Sequence, residues 1–97
     1  MTELRFSGTV WIAPGDGSWH FVTVPEDCAE VIHLESGPRV GFGSVRVRVT
    51  LGSSSWSTSV FPDTRDTYVL PLKRSVRDTE GFLAGDLVDV ALELVVA

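Results

Sequence analysis

The sequence predicts an all-β protein, a single small closed six-stranded barrel with two short helices. Three observations lead there. Six short segments are rich in alternating apolar or β-branched residues. Short helical segments follow the second and the fifth of them. The order of elements over about residues 4–51 recurs over about residues 55–96, as an internal duplication of a strand-strand-helix-strand unit would leave it.

Leu4 to Ile12 sets Leu4, Phe6, Gly8, Val10 and Ile12 against Arg5, Ser7, Thr9 and Trp11. This alternation is a half-buried strand, because successive side chains point to opposite faces. Ala13 to Ser18 contains Pro14, Gly15 and Gly17 and reads as a turn, since proline cannot continue a ladder. Trp19 to Val24 is the returning strand of a hairpin. Pro25 suits the first position of a helix, where its missing N–H costs nothing. Glu26 and Asp27 fall in the first turn, where the helix dipole favours acids, and Cys28, Val31 and Ile32 form the apolar stripe. Gly37-Pro38 stops the helix and Gly41-Phe42-Gly43 is a glycine turn.

Val45, Val47, Val49 and Leu51 then alternate with Arg46, Arg48 and Thr50 in a third strand. Gly52-Ser53-Ser54-Ser55 fits a strand connection. Trp56 to Phe61 and Thr67 to Leu72 are strands on either side of a turn from Pro62 to Asp66. Lys73 to Thr79 is a short helix with little apolar surface beyond Val76, ended near Gly81. Gly85-Asp86 opens the last strand, Leu87 to Val96, with Val88, Val90, Leu92 and Leu94 on one face.

In the two halves Pro14 answers Pro62, Pro25 answers Pro71, and Gly43-Ser44 stands where the second copy has Gly85-Asp86. One three-stranded unit would expose its edges. Two units related by a pseudo-twofold interleave into a closed barrel, with the apolar faces inside and the helices plugging the ends.

The 97 residues make one domain, with 43% hydrophobic residues and enough chain for one core. The lone cysteine, Cys28, has no internal disulfide partner and reads as a small buried hydrophobe in a reducing compartment. No early apolar stretch follows Met1, and no run approaches the roughly 18 apolar residues that span a membrane. A soluble cytoplasmic protein is expected. The net charge of −5 argues against nucleic acid, which is met by a basic footprint. The basic residues are seven Arg and a single Lys, Lys73.

Leu70 to Leu92 resembles the half-barrel of AbrB/SpoVT-type swapped-hairpin proteins, with proline and lysine before a short helix and glycine-aspartate before a strand. Two chains pair there, whereas one chain would supply both halves here. The whole chain resembles more closely the bacterial family known as domain of unknown function 1905. The matching stretches are FSGTV, WHFVTVP, GSVRVRVTLG, TSVFPDTRDTYVLPLKRSVR and LAGDLVDVALEL, which together span nearly all of residues 4–95. The resemblance implies a small β-barrel, sometimes fused to YdeI/OmpD-associated domains linked to bacteriocin protection. It transfers no activity and no catalytic residues.

Lys73, Arg74 and Arg77 are the leading candidates for chemistry. A cation at a helix N-terminus opposes the dipole, so Lys73 calls for an anion: a carboxylate such as Asp86 or Asp78, or a ligand. Arg77, one turn on, lies on the same side, and both match basic positions of the family pattern. Gly85 and Asp86 read as a structural latch, with Asp86 accepting from backbone N–H groups of the other half. Pro25 and Pro71 are structural. Trp11, opposite in strand parity to Phe6 and Val10, is a candidate exposed contact. The remaining large aromatics, Trp19, Trp56 and Tyr68, are expected in core or rim packing. Arg46 and Arg48, with Arg39 nearby, read as a solvated strand face or a local nucleic-acid stripe.

His20, His33 and Cys28 have no metal-ligand spacing, and Cys28 with His33 lacks a group to orient the base. No phosphate loop, dinucleotide fingerprint or nucleophile elbow occurs, so no cofactor is expected. The expectation is a non-catalytic binding or interaction domain that uses the barrel end near Lys73 and Arg77. Its partner is an unknown protein or a small anionic ligand. An AbrB-like DNA-binding regulator is the runner-up and an enzyme of unknown class is third. A monomer should be viable.

Overall fold

A computed structural model describes residues 3–15, 19–36, 43–63 and 67–95. The expected turns at residues 16–18 and 64–66, and the helix stop and glycine turn over 37–42 with Arg39, lie outside the described residues. The chain runs β1 (Glu3–Ile12), β2 (His20–Val24), α1 (Glu26–Glu35), β3 (Val45–Leu51), β4 (Ser54–Pro62), β5 (Tyr68–Pro71), α2 (Arg74–Glu80) and β6 (Leu87–Leu94). The six strands close a barrel in the order β1-β2-β5-β4-β3-β6. Every pairing is antiparallel.

Alternation explains the interior. Val10 of β1, Val22 and Val24 of β2, Val47, Val49 and Leu51 of β3, and Trp56 and Val60 of β4 point in. Tyr68 and Leu70 of β5 and Val88, Val90, Leu92 and Leu94 of β6 complete the wall. Leu4, Phe6 and Val45 pack against this core from partly exposed positions. Among the described residues Thr67 is the one buried polar residue, so the barrel is filled rather than hollow. Ile12, expected inward, is 43% exposed. It forms the last rung of the β1–β2 hairpin with His20, beyond the filled interior.

The helices cover the barrel as expected, with small shifts. α1 buries Cys28, Ala29 and Ile32, whereas Val31 is only half-buried. Pro25 is the residue before the helix rather than its first, with ψ at 156°. Its fixed φ fits both places, and its carbonyl accepts the Ala29 N–H at 2.8 Å. α2 is capped by Lys73 and anchored by buried Val76. It ends at Gly81, whose N–H donates to the Arg77 carbonyl.

Exchanging β1, β2 and β3 for β4, β5 and β6 leaves the list of neighbouring strands unchanged. The registers agree as well. The rung Phe6–Val90 becomes Trp56–Val49, and Trp11–Phe21 becomes Phe61–Val69, all of which occur. The same register carries the α1 cap, Pro25, onto the α2 cap, Lys73. The motifs matched in the sequence are therefore offset. Pro71 closes β5 two residues before the α2 cap, so it does not correspond to Pro25. Gly43-Ser44 and Gly85-Asp86 differ in phase, because Val45 packs against the core while Leu87 is exposed.

One side-chain bridge ties α2 to the tight turn between β3 and β4. The Glu80 carboxylate accepts from the Ser53 N–H at 3.2 Å, the Ser53 hydroxyl at 2.9 Å and the Ser54 hydroxyl at 2.7 Å. Gly52 makes the approach possible: its φ is +61°, and a Cβ there would run into the carboxylate. The Ser54 and then the Ser53 hydrogen bonds hold the Glu80 carboxyl below its ordinary value. A lowered folded-state value means that the contribution is complete above the unfolded-state value of about 4.3 and fades as pH falls through the folded one. Thermal unfolding followed from about pH 6 to about pH 3 should show a steeper acid loss for the wild type than for Glu80→Gln. Parallel curves would remove the bridge as a source of acid sensitivity.

Candidate functional site

β5 ends at Pro71, and Leu72 then donates its N–H to the His20 carbonyl at 2.9 Å. This bond holds the start of α2 against the start of β2. The Lys73 carbonyl accepts the N–H groups of Val76 and Arg77 at 3.1 and 3.2 Å. Burial of Val76 turns the opposite side of the helix outward, and Lys73, Arg74 and Arg77 line one groove. Arg77 is held from both sides. Its Nε donates to the Leu72 carbonyl at 3.2 Å, and its Nη1 lies 3.4 Å from His20 Nε2. A guanidinium only donates, so Nε2 is the acceptor in that contact.

The groove has a volume of about 600 Å³ and is lined on its apolar side by Trp19, Trp56 and Phe61. Trp56 is buried, whereas Trp19 is 63% exposed. Among the described residues no carboxylate lines it. Arg74 lies 3.7 Å from Asp78 one turn on, with both side chains mostly exposed. An exposed pair of this kind is weak and leaves the groove basic.

Lys73 and Arg77 are thus brought together, as the sequence predicts. The carboxylates expected to take Lys73 are engaged elsewhere: Asp78 pairs with Arg74, and Asp86 bonds locally. Trp11 stands apart from the groove. Its ring packs on Phe21 with centroids 5.1 Å apart, and its indole N–H donates to the Thr23 hydroxyl at 3.0 Å. The exposed tryptophan of the site is Trp19, which stacks on Phe21 at 6.1 Å with planes 11° apart. Core or rim packing was expected of it. Its outward position follows from strand parity, because Val22 and Val24 face in and Phe21 and Trp19 fall on the other face.

Asp86 is a latch with a different target. Its carboxylate accepts the Leu83 N–H at 2.8 Å while its own N–H donates to the Leu83 carbonyl at 3.0 Å. The bond to the other half is made by backbone: Gly85 donates to the Val10 carbonyl at 2.8 Å, and Val10 donates to the Asp86 carbonyl at 2.9 Å. Gly85 reaches this with φ at +95°, which favours glycine.

Other candidates stay separate. Cys28 is buried and His33 exposed on α1. Burial, and then the charge and hydrogen bond of Asp27, push the Cys28 thiol up, which makes it a poor nucleophile. Among the described residues no three His, Cys, Asp or Glu side chains gather where a metal could bind. Arg46 faces Ser59 on β4, and Arg48 has Glu93 directly across on β6. Among the described residues no helix is long and apolar enough to cross a membrane.

A family profile described as Domain of unknown function (DUF1905) matches residues 6–92, nearly the whole chain. The chain belongs to the DUF1905 family. A search of curated proteins finds no significant match. The closed barrel described above is therefore a DUF1905 domain, and in this chain it carries a basic groove at the α2 end.

Removing the Asp86 carboxylate should loosen the 83–86 turn of this DUF1905 domain. Asp86→Ala is expected to lose about 1 kcal/mol, with Asp86→Asn losing less because its amide oxygen still accepts. Urea unfolding midpoints of the two variants measure the difference, and equal midpoints would contradict the assigned bond.

Proposed function

We propose that this DUF1905 domain is a non-catalytic binding domain, and that the α2 groove takes a small anion joined to an apolar or aromatic body. The carrying observation is the meeting of Lys73, Arg74 and Arg77 with Trp19, Trp56 and Phe61 in one cleft that, among the described residues, no carboxylate lines. The volume of about 600 Å³ is that of small-molecule clefts. The cations supply attraction and the donors of charge-assisted hydrogen bonds. The rings supply area and a stacking face. Holding Arg77 between Leu72 and His20 orders its guanidinium in advance, which reduces the entropy lost on binding.

A protein partner bearing an acidic segment is a second reading. It is favoured by the apolar outer face that continues from the groove through Phe21, Pro71, Val69 and Phe61. The reducing cytoplasm is the proposed compartment, in keeping with a buried, unpaired Cys28.

Isothermal titration at low salt with naphthalene-2-carboxylate, naphthalene-2-methanol and acetate separates the contributions. The carboxylate should bind more tightly than either other probe, and raised salt should weaken it. Lys73→Ala and Arg77→Ala should each weaken it about fivefold, or about 1 kcal/mol. Equal binding of the carboxylate and the alcohol would remove the charge from the site. Saturation by none of the three would shift the reading to a protein partner.

A further inference from the structure

A second crevice, of about 290 Å³, opens at the α1 end of the barrel between Glu26, Ala29 and Glu30 of the helix and Asp63, Thr67 and Tyr68 of the β4–β5 hairpin. It is the counterpart of the α2 groove. The register that carries Pro25 onto Lys73 also carries Glu26 onto Arg74, Ala29 onto Arg77 and Tyr68 onto His20. Four wall positions therefore recur in the two clefts, Trp19, His20, Arg74 and Arg77 answering Thr67, Tyr68, Glu26 and Ala29, and the cation Arg74 is replaced by the acid Glu26.

The comparison shows what the acidic copy lacks. In the groove the Arg77 guanidinium reaches His20. In the crevice the Arg77 position holds Ala29, which offers only a methyl group. Tyr68, at the His20 position, is 2% exposed, and its buried hydroxyl has no hydrogen-bond partner. A buried hydroxyl without a partner destabilises the free protein. Glu26 and Glu30, one turn apart on the helix, are like charges at a spacing where they repel. Asp63 adds a third carboxylate and His33 also lines the cleft, while among the described residues no lysine or arginine does.

We propose that the α1 crevice binds a guanidinium group, which stands where Arg77 stands in the other copy. One N–H donates to the Tyr68 hydroxyl, and the charge is met by Glu26 and Glu30. A planar cation with several N–H donors suits this wall. A metal ion does not, because the acidic groups among the described residues do not gather as ligands. The guanidinium belongs to a free small molecule or to an arginine side chain of a bound peptide.

Amide NMR titrations with methylguanidinium chloride and with a blocked arginine tripeptide, against matched sodium chloride, test the site. Both probes should shift the amides of Ala29, Glu30 and Thr67 saturably, and sodium should not. Tyr68→Phe should weaken both about two- to tenfold, while raising the unfolding temperature of the free protein by several degrees, ~4–8 °C. Glu26→Gln should also weaken both. Tighter binding of the tripeptide assigns the source to a partner's arginine, and equal binding assigns it to a small molecule. The proposal is overturned if neither probe saturates by about 50 mM, or if Tyr68→Phe binds as well as the wild type. The readout lies at the α1 end, so failure here leaves the anion site at α2 standing.

Discussion

Closure of the sheet through β6 is the constraint on which the rest of the structure depends. β6 meets β1 along the run from Glu3–Glu93 to Thr9–Leu87 and meets β3 from Val47–Leu94 to Thr50–Ala91. Without it the remaining strands would be an open sheet with two unpaired edges, and open edges recruit other chains. With it, every strand has a neighbouring strand on each side within one chain, although β1 and β4 meet their two neighbours with different stretches of their length. What the fold leaves for binding is the outer sheet face and the two helix-covered ends.

Those ends are built alike and charged oppositely. At each, a short helix lies against the start of a strand from the other half, leaving a cleft between them. The α2 copy carries Lys73, Arg74 and Arg77, and the α1 copy carries Glu26 and Glu30. A net charge of −5 conceals this separation, because a sum does not report position. The tuning resides in side chains at the helix positions that face the clefts, where a change of charge leaves the apolar interior of the barrel undisturbed.

Much of the fold was legible because the barrel is filled by strict alternation. Val45 to Leu51 and Val88 to Leu94 announce an inner and an outer face, and a second row of the same elements announces an interleaved partner. The equivalence of individual residues was less legible. Proline and glycine can serve a turn from several neighbouring positions, so Pro25 with Pro71, and Gly43 with Gly85, matched by type while differing in register. Of the α2 groove, the cations were visible as a cluster in KRSVR. Its aromatic wall was not, because Trp19, Trp56 and Phe61 come from separate strands and meet only after closure. Strand parity marks Trp11 as outward, but it does not show that Trp19, outward as well, is the tryptophan that borders the groove.

Closure by one chain is tested most directly by amide hydrogen exchange along the β1–β6 seam, compared at about 10 μM and about 1 mM protein. The structure predicts that the Phe6, Val90 and Leu92 amides are strongly protected to the same degree at both concentrations. Protection that falls on dilution would show that β6 pairs with β1 of another molecule, and would contradict the single-chain barrel.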